Sequence, residues 1–155
     1  MDTRIKTPLF ELILPGAWTR AMPEPGLTTF RSPSGSEQLS ISSTKVREPL
    51  TRDEQPDTLR AFVQVRRDAE ARLAPASALS DAIYLDAPPR AMFAARDAAR
   101  NRLSATIVLR HNTGFLVLYL ESVGGGTGSF EDLVGRLSTA CAMRTQAVTR
   151  NTSGP

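Results

Sequence analysis

The chain has 155 residues, of which 41% are hydrophobic, 23% charged and 6% aromatic. This length suits one domain, and the composition excludes a disordered, collagen-like or coiled-coil chain. The longest apolar run covers residues 115–120, far short of the ~20 residues that a membrane-spanning helix needs. The sequence therefore predicts one globular domain without membrane insertion.

The distribution of charge argues against a nucleic-acid partner. The 19 basic and 16 acidic residues give a net charge of +3, and they alternate in sign, as over residues 66–72. A nucleic-acid binder usually carries a one-sided basic stripe, so we expect no nucleic-acid partner.

Cys141 is the only cysteine, so no intramolecular disulfide is possible. Because Glu11 and Pro15 interrupt the first apolar stretch, it lacks the core of a signal peptide, and we expect a cytoplasmic protein.

The first half of the chain predicts three strands and a helix. Alternating apolar residues bounded by turn residues place the strands at residues 10–14, 27–31 and 38–44. An apolar stripe places the helix at residues 56–73; it consists of Leu59, Phe62, Val63, Ala69 and Leu73. Trp18 follows the first strand, and its size predicts burial at one end of the sheet.

The second half predicts three or four strands and a second helix. The strands cover residues 80–85, 91–96, 102–110 and 115–121, and a turn at residues 111–114 joins the last two into a hairpin. The last strand is apolar on both faces, which predicts a central place in the sheet. After the glycine stretch at residues 124–128, Ser129 and Asp132 form a capping box. The helix that follows has an apolar face of Phe130, Leu133, Val134, Leu137 and Cys141.

This order of elements indicates an α+β fold. We expect an antiparallel sheet of about six or seven strands flanked by two main helices. The domain is expected to cover residues 7–144, and residues 145–155 are expected to form a flexible polar tail.

No group of residues predicts catalysis, a metal site or a cofactor. His111, the only histidine, is expected to be an exposed turn residue, and Cys141 lies on an apolar helix face, where a thiol is unreactive. The glycine stretch lacks the lysine of a phosphate-binding loop, and Glu131 and Asp132 would repel a phosphate there. Binding of a small molecule or phosphate at residues 124–129 remains an alternative.

The N-terminal string resembles the start of Mog1/PsbP-like proteins. Phe10, Leu12, Pro15 and Trp18 match a Phe-x-Leu-x-x-Pro-x-x-Trp pattern that opens a sheet flanked by helices in that family. The resemblance extends over residues 9–143. The family includes a nuclear GTPase cofactor, photosystem subunits and small bacterial proteins encoded near secreted toxins, such as effector-associated chaperones and immunity proteins.

The resemblance implies a non-enzymatic bacterial protein that binds one specific protein partner. First among the candidates is an immunity protein that neutralises a toxin, for example one of a type VI secretion system. A secretion chaperone for an effector is the alternative, and a homodimer remains open.

The predicted partner-binding residues lie at one end of the sheet: Arg96, Arg100, Arg102, Gly125 and Gly126. Arginines beside a glycine loop suit bidentate contacts with carboxylates of a partner. We expect Arg100→Glu with Arg102→Glu to weaken partner binding and hardly change stability.

Overall fold

A computed structural model of the protein describes residues 2–6, 11–21, 26–45, 55–73, 78–85, 89–111, 114–123, 131–132 and 134–135. In chain order the elements are β1 (Thr3–Lys6), β2 (Glu11–Leu14), β3 (Thr19–Arg20), β4 (Leu27–Arg31), β5 (Glu37–Lys45), α1 (Gln55–Leu73), β6 (Ala78–Leu79), β7 (Ile83–Leu85), β8 (Arg90–Asp97), β9 (Arg102–His111) and β10 (Gly114–Val123).

Within the described residues, eight strands form one antiparallel sheet in the order β3-β4-β5-β10-β9-β8-β6, and β7 also pairs with β8. β1 and β2 pair separately with each other. β10 is at the centre, between β5 and β9, and most of its side chains are buried on both faces. The central place predicted from its apolar pattern is confirmed.

Each face of the sheet carries its own core. On the helix face, Leu59 and Val63 of α1 pack against Phe93, Val108 and Phe115. On the opposite face, the β1–β2 pair and Trp18 cover a second cluster of apolar side chains that includes Leu39, Ile107, Leu116 and Leu118. The fold is therefore α+β, with α1, the sheet and the β1–β2 pair as layers.

Trp18 is 9% exposed, as its place after the first strand predicts. The Trp18 backbone N–H donates to the Thr3 hydroxyl at 2.8 Å, and the indole Nε1 donates to the Pro15 carbonyl at 3.0 Å. The Thr3 hydroxyl in turn donates to the Gly16 carbonyl. These bonds satisfy the polar atoms of a large buried side chain and fasten β1 to the segment after β2.

The apolar stripe of the predicted helix is only partly buried. Leu59 and Val63 are buried, whereas Ala69 is exposed and Leu73 is 78% exposed. Glu70 already reaches Arg102, the first residue of β9. The last turn of α1 therefore lies beyond Arg102 at the end of β9, and none of its residues belongs to the apolar cluster that the described residues form on this face.

The number of strands exceeds the six or seven predicted from the pattern. β1 and β3 have no strong strand pattern. Of the strand expected at residues 80–85, only residues 83–85 form one (β7), and a further short strand, β6, precedes the expected range. Residues 80–82 separate the two strands; the Ser80 backbone N–H donates to the Ala94 carbonyl, and the Ser80 hydroxyl accepts from the Ala94 N–H. A serine hydroxyl that takes a ladder hydrogen bond interrupts the strand.

The prediction of two main helices is met in part. Within the part of the chain that the structure describes, α1 is the one long helix, and residues 131–132 and 134–135 have helical backbone. The other residues of the expected second helix, including Leu137 and Cys141, lie outside the described residues, as does the expected tail at residues 145–155.

Candidate functional site

The three predicted arginines lie at the same end of the sheet but do not share a face. Arg102 is directly opposite Asp97 in the β8–β9 ladder, whereas Arg96 is opposite Leu103. Neighbouring positions along a strand point to opposite faces. Arg102 is therefore on the helix face and Arg96 on the opposite face, so the expected cluster of three arginines does not form.

Arg102 is partly buried and is held by a polar network. Its guanidinium donates to the Tyr119 hydroxyl and lies 3.4 Å from the Glu121 carboxylate and 3.7 Å from the Glu70 carboxylate of α1. Burial alone would lower the pKa of Arg102, but the contacts with Tyr119 and the two carboxylates outweigh it and raise the pKa. Arg102 therefore already has two carboxylate partners within the protein, and both lie against its Nη2.

Arg100 lies in the turn between β8 and β9 and is open to solvent. Its backbone N–H donates to the buried Asp97 carboxylate at 3.3 Å, and its Nε lies 3.7 Å from the same carboxylate. The side chain is 69% exposed, so this ion pair contributes little to stability. Of the three arginines, Arg96 and Arg100 are exposed, whereas Arg102 is partly buried.

Arg96 borders an open apolar groove of about 590 Å³ on the face opposite α1. The lining comes from β6, β7, β8, β9 and the helical residues near 131, and its larger side chains are Leu79, Ile83, Met92, Leu103 and Val134. Ile83 is 57% exposed. Of the described residues that line the groove, Arg96 and Glu131 are charged, one of each sign. This site can hold apolar side chains and offer an ion pair beside them.

The groove is absent from the sequence-based prediction. The pattern predicts one strand at residues 80–85, whereas residues 80–82 are not in a strand and Ile83 is exposed. A signal does exist in the small side chains Ala94 and Ala105, which line the groove between the larger Met92 and Leu103. Small side chains between larger ones leave a depression on the face of a sheet.

Several residues that the sequence analysis singled out lie outside the described residues. Gly125, Gly126 and Cys141 are not among the described residues, and neither is the side chain of His111. The His111 backbone is the last residue of β9, opposite Gly114, where the sequence predicts a turn.

Among the residues that the structure describes, no group of three or more His, Cys, Asp or Glu side chains could hold a metal ion. The helical segments of these same residues include none with the length and apolar character to span a membrane.

Comparisons with known proteins support the fold. No model of a known protein family matches the sequence, and no similar sequence is found among curated proteins. The structure resembles the solution structure of cyanobacterial PsbP (CyanoP) from Synechocystis sp. PCC 6803, with a TM-score of 0.60, 15% identity and coverage of 90% of each chain. A crystal structure from Bacteroides thetaiotaomicron VPI-5482 matches with a TM-score of 0.47 and 13% identity, over 86% of this chain and 43% of that one. At such identity the CyanoP match shows the fold alone, and the chain has a PsbP-like fold.

Proposed function

We propose that this protein is a non-enzymatic binding protein for one specific protein partner, and first of all a bacterial immunity protein that neutralises a toxin by direct binding. The observation that carries this proposal is the open apolar groove with Arg96 on its wall. Exposed apolar patches that are bordered by polar residues are typical of sites where a protein binds a partner.

The groove can supply both affinity and direction. Burying an aliphatic side chain contributes about 1.5–3 kcal/mol relative to leaving it in water, and the lining offers several such side chains, among them Leu79, Ile83 and Met92. Arg96 and Glu131 lie in the same groove with opposite charges. A partner segment that places an acidic group at Arg96 and a basic group at Glu131 therefore binds in one orientation in preference to the opposite one.

Arg100 extends the same surface around the end of the sheet, since it belongs to the turn that follows β8. Of the predicted partner-binding residues, Arg96 and Arg100 therefore stay in the proposal. Arg102 is better explained by its contacts with Glu70, Glu121 and Tyr119. Gly125 and Gly126 stay predictions, as does small-molecule binding at residues 124–129.

A secretion chaperone for an effector is the second candidate. The apolar lining of the groove favours it, because a chaperone shields an apolar segment of its client. The two roles differ in their consequence: an immunity protein abolishes the partner's activity in a stable complex, whereas a chaperone releases the partner intact.

The test uses two matched substitutions of exposed aliphatic residues. Ile83 is 57% exposed and lines the groove, whereas Val65 is 63% exposed on α1. The wild-type protein, Ile83→Glu and Val65→Glu are used to capture the partner from native cell extract, and the recovered partner is reconstituted as a purified complex. We expect a stoichiometric complex with the wild type and Val65→Glu, and loss of the partner with Ile83→Glu.

The reconstituted complex then separates the two roles, because inhibition of the partner's activity supports the immunity role and release of active partner supports the chaperone role. Equal capture by Ile83→Glu and wild type would show that the groove is not the interface. Absence of any stoichiometric partner for the wild type would count against both roles.

A further inference from the structure

A second line of apolar side chains, the outer stripe, runs along α1 on the side that is open to solvent. It consists of four residues at intervals of four: Ala61, Val65, Ala69 and Leu73. Residues four apart lie on the same face of a helix. Val65 is 63% exposed and Leu73 is 78% exposed, and both alanines are exposed as well. The face of α1 that packs on the sheet is the one with Leu59 and Val63, so the described residues leave the outer stripe uncovered.

Opposite charges lie at the two ends of the outer stripe. Asp57 is in the first turn of α1 and Arg72 is in the last, and both are exposed. Neither forms a salt bridge with another described residue. The Arg72 Nε donates to the Asp68 carbonyl at 3.3 Å, which leaves the Nη groups for a further acceptor. The helix dipole favours these signs at the two ends, but it does not determine which flank of the helix the charges occupy.

Both charges lie on the same flank of the outer stripe. Successive residues of a helix are rotated by about 100°, so Asp57 lies about 80° and Arg72 about 20° to the same side of Val65. Val65 is also close to the midpoint between them along the chain. The two ends of this flank are therefore nearly symmetrical in position about Val65 and opposite in charge.

This arrangement complements itself when a second copy is turned about a two-fold axis at Val65. The axis makes the two helices antiparallel and brings the same flank of each together. Asp57 of each copy then faces Arg72 of the other, so that two ion pairs form, and Val65 faces its own equivalent. Ala61 faces Ala69 of the other copy, and such small side chains allow helix axes to approach to about 8 Å. A parallel arrangement would instead place like charges opposite each other.

We propose that the outer stripe of α1 is an interface between two copies of this chain, packed antiparallel about this axis. α1 has 19 residues and is therefore about 28 Å long. A single pair of helices of this length buries less than the ~1,200 Å² of a stable interface, so the dimer is weak and depends on protein concentration. It leaves the groove of each copy open, because the groove lies on the opposite face of the sheet.

Sedimentation equilibrium of the purified protein tests the dimer at concentrations from about 10 µM to about 1 mM. We expect the average mass to rise with concentration from that of one chain toward that of two, and to rise less at high salt, because exposed ion pairs are screened. Val65→Glu should abolish the rise, since it places two carboxylates opposite each other at the axis. Ile83→Glu should keep it, because Ile83 is 57% exposed on the other face of the sheet.

Two charge variants test the antiparallel register. Asp57→Arg alone and Arg72→Asp alone each place like charges opposite each other at both ends of the helix pair. Each should therefore self-associate at least about tenfold more weakly than the wild type. An equimolar mixture of the two variants restores two pairs of opposite charge and should associate about as strongly as the wild type. Damage to the fold of either variant would not produce this recovery.

The proposal is overturned if the wild type remains a monomer over this range, or if Val65→Glu dimerises as strongly as Ile83→Glu. It is also overturned if the mixture associates no better than either charge variant alone, because the register would then be different. The dimer does not depend on a partner in the groove: Val65→Glu should still capture the partner, and Ile83→Glu should lose the partner while it continues to dimerise.

Discussion

Replacement of Arg102 by methionine tests the network that joins α1 to the sheet. The substitution keeps an apolar stem of similar length but removes the hydrogen bond to the Tyr119 hydroxyl and the contacts at 3.4 and 3.7 Å with Glu121 and Glu70. The charged hydrogen bond contributes about 1.5–3 kcal/mol, and each partly exposed ion pair about 0.2–1 kcal/mol. The free energy of unfolding should fall by about 2–5 kcal/mol.

Urea unfolding measures this change as a lower midpoint with an unchanged slope. Arg100→Met is the control, because Arg100 is 69% exposed with a single long ion pair, and it should change the free energy by no more than about 0.5 kcal/mol. A midpoint for Arg102→Met equal to that of the wild type would refute the role given to the network. The structure thus reverses one expectation from sequence: Arg100→Glu with Arg102→Glu should destabilise the protein as well as alter its surface.

Three further substitutions test the fold. Trp18→Ala should cost about 3–5 kcal/mol of unfolding free energy in a urea titration, because the side chain is 9% exposed within the core; a midpoint near that of the wild type would contradict its burial. Gly114→Ala would place a Cβ 2.1 Å from the Thr44 carbonyl oxygen, so the β5–β10 ladder must shift and the melting temperature should fall; an unchanged value would argue against this close approach. Burial raises the pKa of Tyr119 despite its hydrogen bonds, so its contribution to stability is present below about pH 10 and is lost as the pH rises through the folded-state pKa. Tyr119→Phe should flatten the alkaline loss of stability in urea titrations at several pH values.

The strands that alternate strongly were predictable from the sequence. β4 has the predicted bounds, and β5, β9 and β10 extend the predicted ones by one or two residues at an end. The local pattern is enough to predict these strands, because a half-buried strand alternates apolar and polar residues and a fully buried strand is a continuous apolar run. β1 and β3 have no such pattern. They form strands because they pair with β2 and β4, and the sequence of β1 or β3 alone does not show this pairing.

The sites were less predictable, because charge in a sequence does not say which face a residue occupies or what it contacts. Arg96 and Arg102 were predicted to act together, and they lie on opposite faces. Arg110 alternates with Leu109 as a solvent-facing residue would, yet it is 2% exposed. Such burial depends on what covers the face, here α1 and its Phe62, which is tertiary information.

The central position of β10 governs when the sheet can be completed during synthesis. β10 pairs with β5 from Gly114 opposite Lys45 to Ser122 opposite Glu37, so these partners are separated by about 70 residues or more. On the ribosome, β4 and β5 emerge with an unpaired inner edge of nine residues and keep it until β10 has left the exit tunnel. An exposed strand edge of this length is a template for association with other chains. Truncation before residue 114 should therefore yield aggregates, and folding should be slow, because the central ladder requires closure of a long loop.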